Sequence, residues 1–275
     1  MTVNLEYINQ YIRDFASLIE NKKVNKFEGE LKVGVDLGTA NIVLSVLDES
    51  NQPVAGALHP ASVVKDGLVV DYVGAVKIVK ELKTQVEDLL GVPLLYAATA
   101  VPPGTIGGNA KAIANVIESA GLEIVNVVDE PTAAATFLGV KDGAVVDVGG
   151  GTTGISILKN GEVIYTADEP TGGKHMSLVV AGNYKISFEE AEKLKKDNQR
   201  QDEIFTVVKP VIEKMAAIVN RHLRYSATDK IYVVGGACLF EDFESVFLKE
   251  IGIDTIKPEN PLFITPIGIA MNCVK

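Results

Sequence analysis

A short pattern occurs twice in this chain, 111 residues apart. Val35-Asp36-Leu37-Gly38-Thr39, followed by Ser45-Val46-Leu47, is echoed by Val146-Asp147-Val148-Gly149-Gly150, followed by Ser156-Ile157-Leu158. Each copy reads as an apolar strand, an aspartate near its end, a glycine-rich turn and a returning strand. A chain that starts the same way twice is built from two copies of one plan. Runs of β-branched residues alternate with helical periodicities around both copies, so the expected fold class is α/β, two-lobed, each lobe opening on a β-hairpin.

The pattern predicts strands at 31–36, 42–47, about 52–57, 94–101 and 123–128. It predicts helices at 74–90, 108–120 and 131–138, the last with Pro131 in its first turn and Asp129 as candidate cap. The second copy continues with strands at 143–148 and 153–159, an Asn160-Gly161 hairpin turn and a strand at 162–167. Ser187 and Glu190 form a capping-box start for a helix to about 197. A long helix at 203–224, a strand at 230–234, a helix at 242–250 and a short helix at 267–273 complete the series. Residues 1–30 stand apart: Leu5, Ile8, Ile12, Phe15 and Ile19 fall at helical spacing. This amphipathic helix has two open readings, packing on its own body or docking into a partner's groove. The expected division is 1–30 for this helix, 31–142 plus 261–275 for lobe I and 143–260 for lobe II.

At 275 residues with 47 % apolar and 23 % charged side chains, the chain can bury a large core without disulfides. A net charge of −10 argues against nucleic-acid or anionic-membrane binding. Cys238 and Cys273, in apolar surroundings, read as buried reduced thiols of a cytosolic protein. His59, His175 and His222 are far apart, so no zinc spacing is present. No run is long enough to span a membrane, and no signal-peptide core precedes the first helix.

Glycines in a tight turn let backbone N–H groups approach a phosphate, and an aspartate just before the turn can hold Mg²⁺ through water or orient an attacking water. Two such hairpins suggest a cleft in which each lobe grips one side of a polyphosphate. Gly149-x-Gly151-x-x-Gly154 matches the dinucleotide fingerprint literally, but strand rather than helix follows, so the match is false. No P-loop is present. Gly235-Gly236, after a strand, would let the backbone pass close to ribose and α-phosphate.

Asp36-Leu37-Gly38-Thr39-Ala40-Asn41, Asp129-Glu130-Pro131-Thr132-Ala133-Ala134-Ala135, Asp147-Val148-Gly149-Gly150-Gly151-Thr152-Thr153 and Val233-Val234-Gly235-Gly236 occur in the order of the actin-like ATPase superfamily, which they resemble. They look like its first phosphate motif, first connecting helix, second phosphate motif and adenosine motif; 260–270 resembles the second connecting helix. Ala100-Val101-Pro102 and Ala120-Gly121-Leu122-Glu123 resemble the heat-shock chaperones of that superfamily, and 65–72 resembles bacterial cell-shape actins. The whole, being short, is similar to the chaperone-like members encoded with bacterial microcompartment enzymes of ethanolamine utilisation.

The resemblance implies a duplicated, ribonuclease H-like fold with reduced subdomains and an extra N-terminal helix. It implies ATP and Mg²⁺ as cofactors, with Asp36 on the metal and Asp147 and Glu130 positioning the attacking water. Gly38, Thr39, Ala40, Asn41, Gly150, Gly151 and Thr152 would contact phosphates, and Gly235 and Gly236 the adenosine. Glu192 and Lys195 match a pair that contacts adenine and ribose; read from spacing alone they are a solvated salt bridge on an exposed face, and both readings stand. Two departures matter. Gly154 stands where the family carries an acidic residue, which leaves ATP binding on firmer ground than hydrolysis. Only a short loop precedes Lys65-Asp66-Gly67 where relatives carry a subdomain, so polymerisation is disfavoured and a more open nucleotide site is expected. The implied function is a nucleotide-gated, chaperone-like switch with slow hydrolysis at most. It would be cytoplasmic or microcompartment-associated, and its partner an ethanolamine-pathway enzyme or shell component. The alternatives are a non-hydrolysing adaptor, a filament-former or a small-molecule kinase.

Overall fold

A computed structural model describes residues 3–105, 107–224 and 228–274. Val33, Val35 and Leu37 place β1 (Lys32–Leu37) at the centre of a sheet. β1 pairs antiparallel with β2 (Asn41–Leu47), which pairs antiparallel with β3 (Pro53–Pro60). A small hairpin, β4 (Val64–Lys65) and β5 (Leu68–Val69), leads into α2 (Tyr72–Leu90). β6 (Tyr96–Val101) then runs parallel to β1, and after α3 (Gly108–Ser119), β7 (Glu123–Asp129) runs parallel to β6. The strand order is β3-β2-β1-β6-β7.

After α4 (Glu130–Leu138) the plan repeats with β8 (Gly143–Val148), β9 (Thr153–Lys159) and β10 (Glu162–Glu169) as an antiparallel meander. α5 (Gly173–Tyr184), α6 (Phe188–Lys195) and α7 (Gln201–Leu223) cross to β11 (Lys230–Val234), parallel to β8. α8 (Phe243–Ile251) leads to β12 (Asp254–Ile256), parallel to β11, and α9 (Ile264–Met271) follows. The second order, β10-β9-β8-β11-β12, is the first transposed strand for strand. The repeat seen at the two hairpins extends through both sheets.

Strands buried on both faces read as near-continuous apolar runs. Ile42, Leu44 and Val46 face α2 and α3, while Val43 and Leu47 face a central core. In the second sheet Ile155 and Ile157 pack toward α5, α7 and α8, and Val145 and Leu158 toward that same centre. There α4 and α9 cross so closely that a side chain on Gly268 would begin 1.9 Å from the Ala133 carbonyl oxygen.

α1 (Leu5–Asn21) packs on its own body, which decides between its two sequence readings. Phe15 meets Phe263 edge-on at 5.4 Å, and Tyr11 lies 4.9 Å from the Phe137 ring at the end of α4. Arg13 pairs with Glu259, and the Tyr11 hydroxyl donates to the Asn51 carbonyl. The helix therefore rests on β3, α4 and the segment entering α9 together. The Ser187 capping box is present as predicted; Asp129 stands at the N-cap of α4 but makes no capping bond. α5, β12 and the β4–β5 hairpin are additions to the predicted elements. Cys238 and Cys273 are buried and form no disulfide.

Candidate functional site

β1 and β8 deliver Asp36 and Asp147 to the same end of their sheets, each one residue before a hairpin turn. The two turns meet. A side chain at Gly150 would begin 3.3 Å from the Cβ atoms of both Thr39 and Ala40, so Thr39 and Ala40 face Gly150 across the join, while Gly38 lies against the Asn41 carbonyl of its own hairpin and Gly151 against Asp66. The tip of the β4–β5 hairpin covers it: Asp66 Oδ1 lies 2.6 Å from where a Gly151 side chain would start, and the Lys174 ammonium is 3.7 Å from Asp66. The hairpin tip therefore occupies the place above the second turn.

Beneath the turns lie acidic groups withdrawn from water, Asp147 buried and Asp36, Asp129 and Glu130 partly so. Burial, then the Asp147 charge, pushes the Asp36 carboxyl up to about 7. Burial raises Asp147 to about 6 against the lowering effect of the Thr265 hydroxyl, which donates to it from α9 at 2.5 Å. Glu130, first residue of α4, is held well above the usual carboxylate range. Burial is its main cause, followed by the charges of Asp147, Asp36, Asp168 and Asp129. Burial also raises Asp129. Residues from both sheets and the crossing helix thus share one electrostatic field.

Gly235 has φ +94°, and its backbone passes so close to Asp147 Oδ1 that a side chain would begin 2.3 Å away. Only glycine permits this approach. A 3-10 turn at Gly236–Cys238 follows, and the helix expected at 242–250 comes after it as α8. Glu192 and Lys195 are not a solvated pair. Their charged atoms are 2.6 Å apart with side chains 26 % and 12 % exposed. The Lys195 ammonium donates to Ser177 Oγ and to the Gly173 carbonyl. Gly173 in turn donates to the Gly149 carbonyl, so the pair sits directly behind the second turn.

Gly154 lies opposite Asp147 on β9 and faces two prolines: a side chain would begin 3.1 Å from Pro131 Cδ and 3.2 Å from Pro103 Cδ. Sequence reasoning missed Thr265, Asp66, Lys174 and Asp168. Asp66 was visible within a family-like segment; the others are brought in by packing and register. Among the described residues no three His, Cys, Asp or Glu side chains are gathered closely enough to hold a metal directly.

Against known proteins, the ethanolamine utilization protein EutJ of Salmonella typhimurium is 47 % identical over 256 residues, 93 % of this chain and 90 % of that one. The chain belongs to the EutJ family. A crystal structure of EutJ from Carboxydothermus hydrogenoformans superposes with a TM-score of 0.93 at 54 % identity, covering 98 % of this chain and 99 % of that one. Beyond EutJ, the family model for type IV pilus assembly protein PilM matches residues 136–262. A PilM–PilN type IV pilus biogenesis complex aligns with a TM-score of 0.74 at 15 % identity, covering 91 % of this chain and 100 % of that one. MreB5 of Spiroplasma citri bound to AMPPNP aligns with a TM-score of 0.71 at 18 % identity over 89 % of this chain and 96 % of that one. These distant likenesses establish the fold, which is the actin-like ATPase fold that EutJ shares.

Proposed function

We propose that this EutJ-family protein binds Mg-ATP between its lobes and uses the bound state to gate contact with an enzyme or shell component of ethanolamine utilisation. The observation that carries the reading is the meeting of two glycine turns above buried Asp147 and part-buried Asp36 and Glu130, drawn from both sheets and α4. Gly38–Asn41 and Gly150–Thr152 would take phosphates, Gly235 and Gly236 the adenosine, and Glu192 and Lys195 the adenine and ribose. Carboxylates crowded within one another's field fit a divalent cation. Since no three of them are gathered to hold it directly, Asp36 would hold it through water, as suits Mg²⁺. The cation would neutralise phosphate charge; Asp147 and Glu130 would position water.

In this conformation the turns touch, so phosphates can enter only if the lobes swing apart. The swing would carry α4, α9 and the surfaces attached to them, which makes nucleotide state legible from outside. We place the division between the lobes at 142/143 and 260/261. Actin-like relatives are found with nucleotide, as in MreB5, and with protein partners, as in PilM–PilN. The test is a single-turnover assay with protein in excess over trace labelled ATP and Mg²⁺. Label bound and slowly cleaved, with cleavage lost in Asp147→Ala, is expected; no binding at all would overturn the reading. A second reading, an adaptor that binds without cleaving, is favoured by the prolines that leave no room for a carboxylate at Gly154. Bound but uncleaved label in the native protein would establish it.

A further inference from the structure

The β4–β5 hairpin closes through two residues, Asp66 and Gly67, both with positive φ. That is the geometry of a primed turn, which an Asp-Gly pair favours and which fixes where the tip points. One side of the tip is braced by the first half of the chain: a side chain at Gly67 would begin 2.8 Å from Pro102 Cγ, just after β6. The other side lies on the second half. Asp66 N and Cα are each 3.1 Å from where a Gly151 side chain would begin, and Asp66 Oδ1 is 2.6 Å from it. Asp66 Oδ2 faces the Lys174 ammonium at 3.7 Å. Lys174 stands in the first turn of α5, and its backbone N–H donates to the Gly150 carbonyl, as that of Gly173 does to Gly149. The lysine is thereby anchored on the second glycine turn. A carboxylate, the molecule's own anion, thus stands against both the turn and the cation where a polyphosphate would lie. The Lys174 and Asp66 side chains are 34 % and 40 % exposed, so the pair can part without stranding a buried charge.

We propose that Lys174 is a phosphate-binding residue of the second turn and that Asp66 masks it, holding the phosphate position until nucleotide displaces the hairpin tip. The inference rests on the Mg-ATP reading and deepens it. Phosphates repel Asp66 as they attract Lys174, so entry of the ligand and release of the tip are one exchange of anions. While Asp66 holds Lys174, the hairpin bridges the two halves of the chain, and nucleotide removes that bridge. Apparent affinity is lowered in proportion to the fraction of molecules in which the tip still covers the turn.

The test is calorimetric binding of ATP, tripolyphosphate and adenosine, with Mg²⁺ present, to the native chain, Asp66→Asn, Lys174→Gln and the double variant. Asparagine accepts the positive φ of this turn, so Asp66→Asn removes the charge and keeps the hairpin. It should bind ATP and tripolyphosphate about threefold or more tighter than the native chain, with adenosine unchanged, a gain that a damaged fold does not produce. Lys174→Gln should weaken both phosphate ligands, and in its background the gain from Asp66→Asn should shrink below about twofold. Amide exchange of the native chain should quicken at 64–69 on ATP binding while 149–152 become protected. If the native chain binds ATP and Asp66→Asn binds it no tighter, if Lys174→Gln loses nothing, or if 64–69 become more protected, the mask does not exist and the Mg-ATP reading stands. Binding seen only in Asp66→Asn would support both. If neither the native chain nor Asp66→Asn binds ATP or tripolyphosphate, the underlying reading fails and this one with it.

Discussion

A carboxyl group kept from water favours the folded state only while it holds its proton. Asp36, raised to about 7, and Asp147 and Asp168, raised to about 6, all lie above the value near 3.9 of an unfolded chain. Between those values the native protein binds protons that the unfolded one has lost, so stability falls as pH rises through the native values. Without nucleotide, the melting temperature should therefore rise by a few degrees on going from about pH 7.5 to about pH 5.5, and saturating Mg-ATP should flatten the trend. A flat profile without nucleotide would mean that these groups are solvated. Asp36→Asn should likewise raise the melting temperature while weakening Mg-dependent nucleotide binding, two readouts moving in opposite directions. Asp36, Asp147 and Glu130 were legible in the sequence because each adjoins a local signal, a glycine turn or a proline at a helix start. Asp168 and Thr265 were not, because cross-strand register and the seating of α9 on β1 and α4, which brings Thr265 to Asp147, are not written in local spacing.

At the level of elements, α4 and α9 depend on one close approach. Gly268→Ala would drive a methyl into the Ala133 carbonyl, which belongs to a helix backbone and cannot swing aside. We expect a loss of about 3 kcal/mol or more, read from urea unfolding. Phe15→Ala in α1 removes a fully buried ring that packs on Phe263 and should cost about 3–5 kcal/mol. A loss below about 1 kcal/mol would show that α1 detaches before the rest unfolds. The long strands and the α2 and α7 helices were readable from periodicity. α5 was not: it starts at a glycine, contains Gly182, and exposes Leu178 and Val179 beside buried Met176 and Val180, so its apolar stripe is blurred. β12 is three residues long and has no pattern to show.

For the whole molecule, contact between the turns makes lobe separation measurable. The Cβ distance of 3.3 Å between Thr39 and a side chain at Gly150 is close to that of a disulfide, so Thr39→Cys with Gly150→Cys should cross-link on mild oxidation. A saturating Mg-nucleotide should suppress the cross-link by holding the turns apart, as seen on a non-reducing gel; cross-linking at equal rate with nucleotide present would show that phosphates do not pass between them.

α1 has a consequence for how the chain is made. The second sheet is contiguous from β8 to β12 and can assemble as it leaves the ribosome. α1 is synthesised long before Glu259 and Phe263, on which it rests, and Gly34 of β1 lies directly against the backbone of Ala270. At roughly 5–20 residues per second, β3 and α4 can cover part of the helix early, but the part that meets Phe263 stays uncovered for tens of seconds until that residue is translated. The order of synthesis is thus the reverse of the order of docking. Until α9 and the segment before it are translated, the Phe15 face of α1 remains adhesive, which makes their emergence the moment when aggregation or rescue is decided.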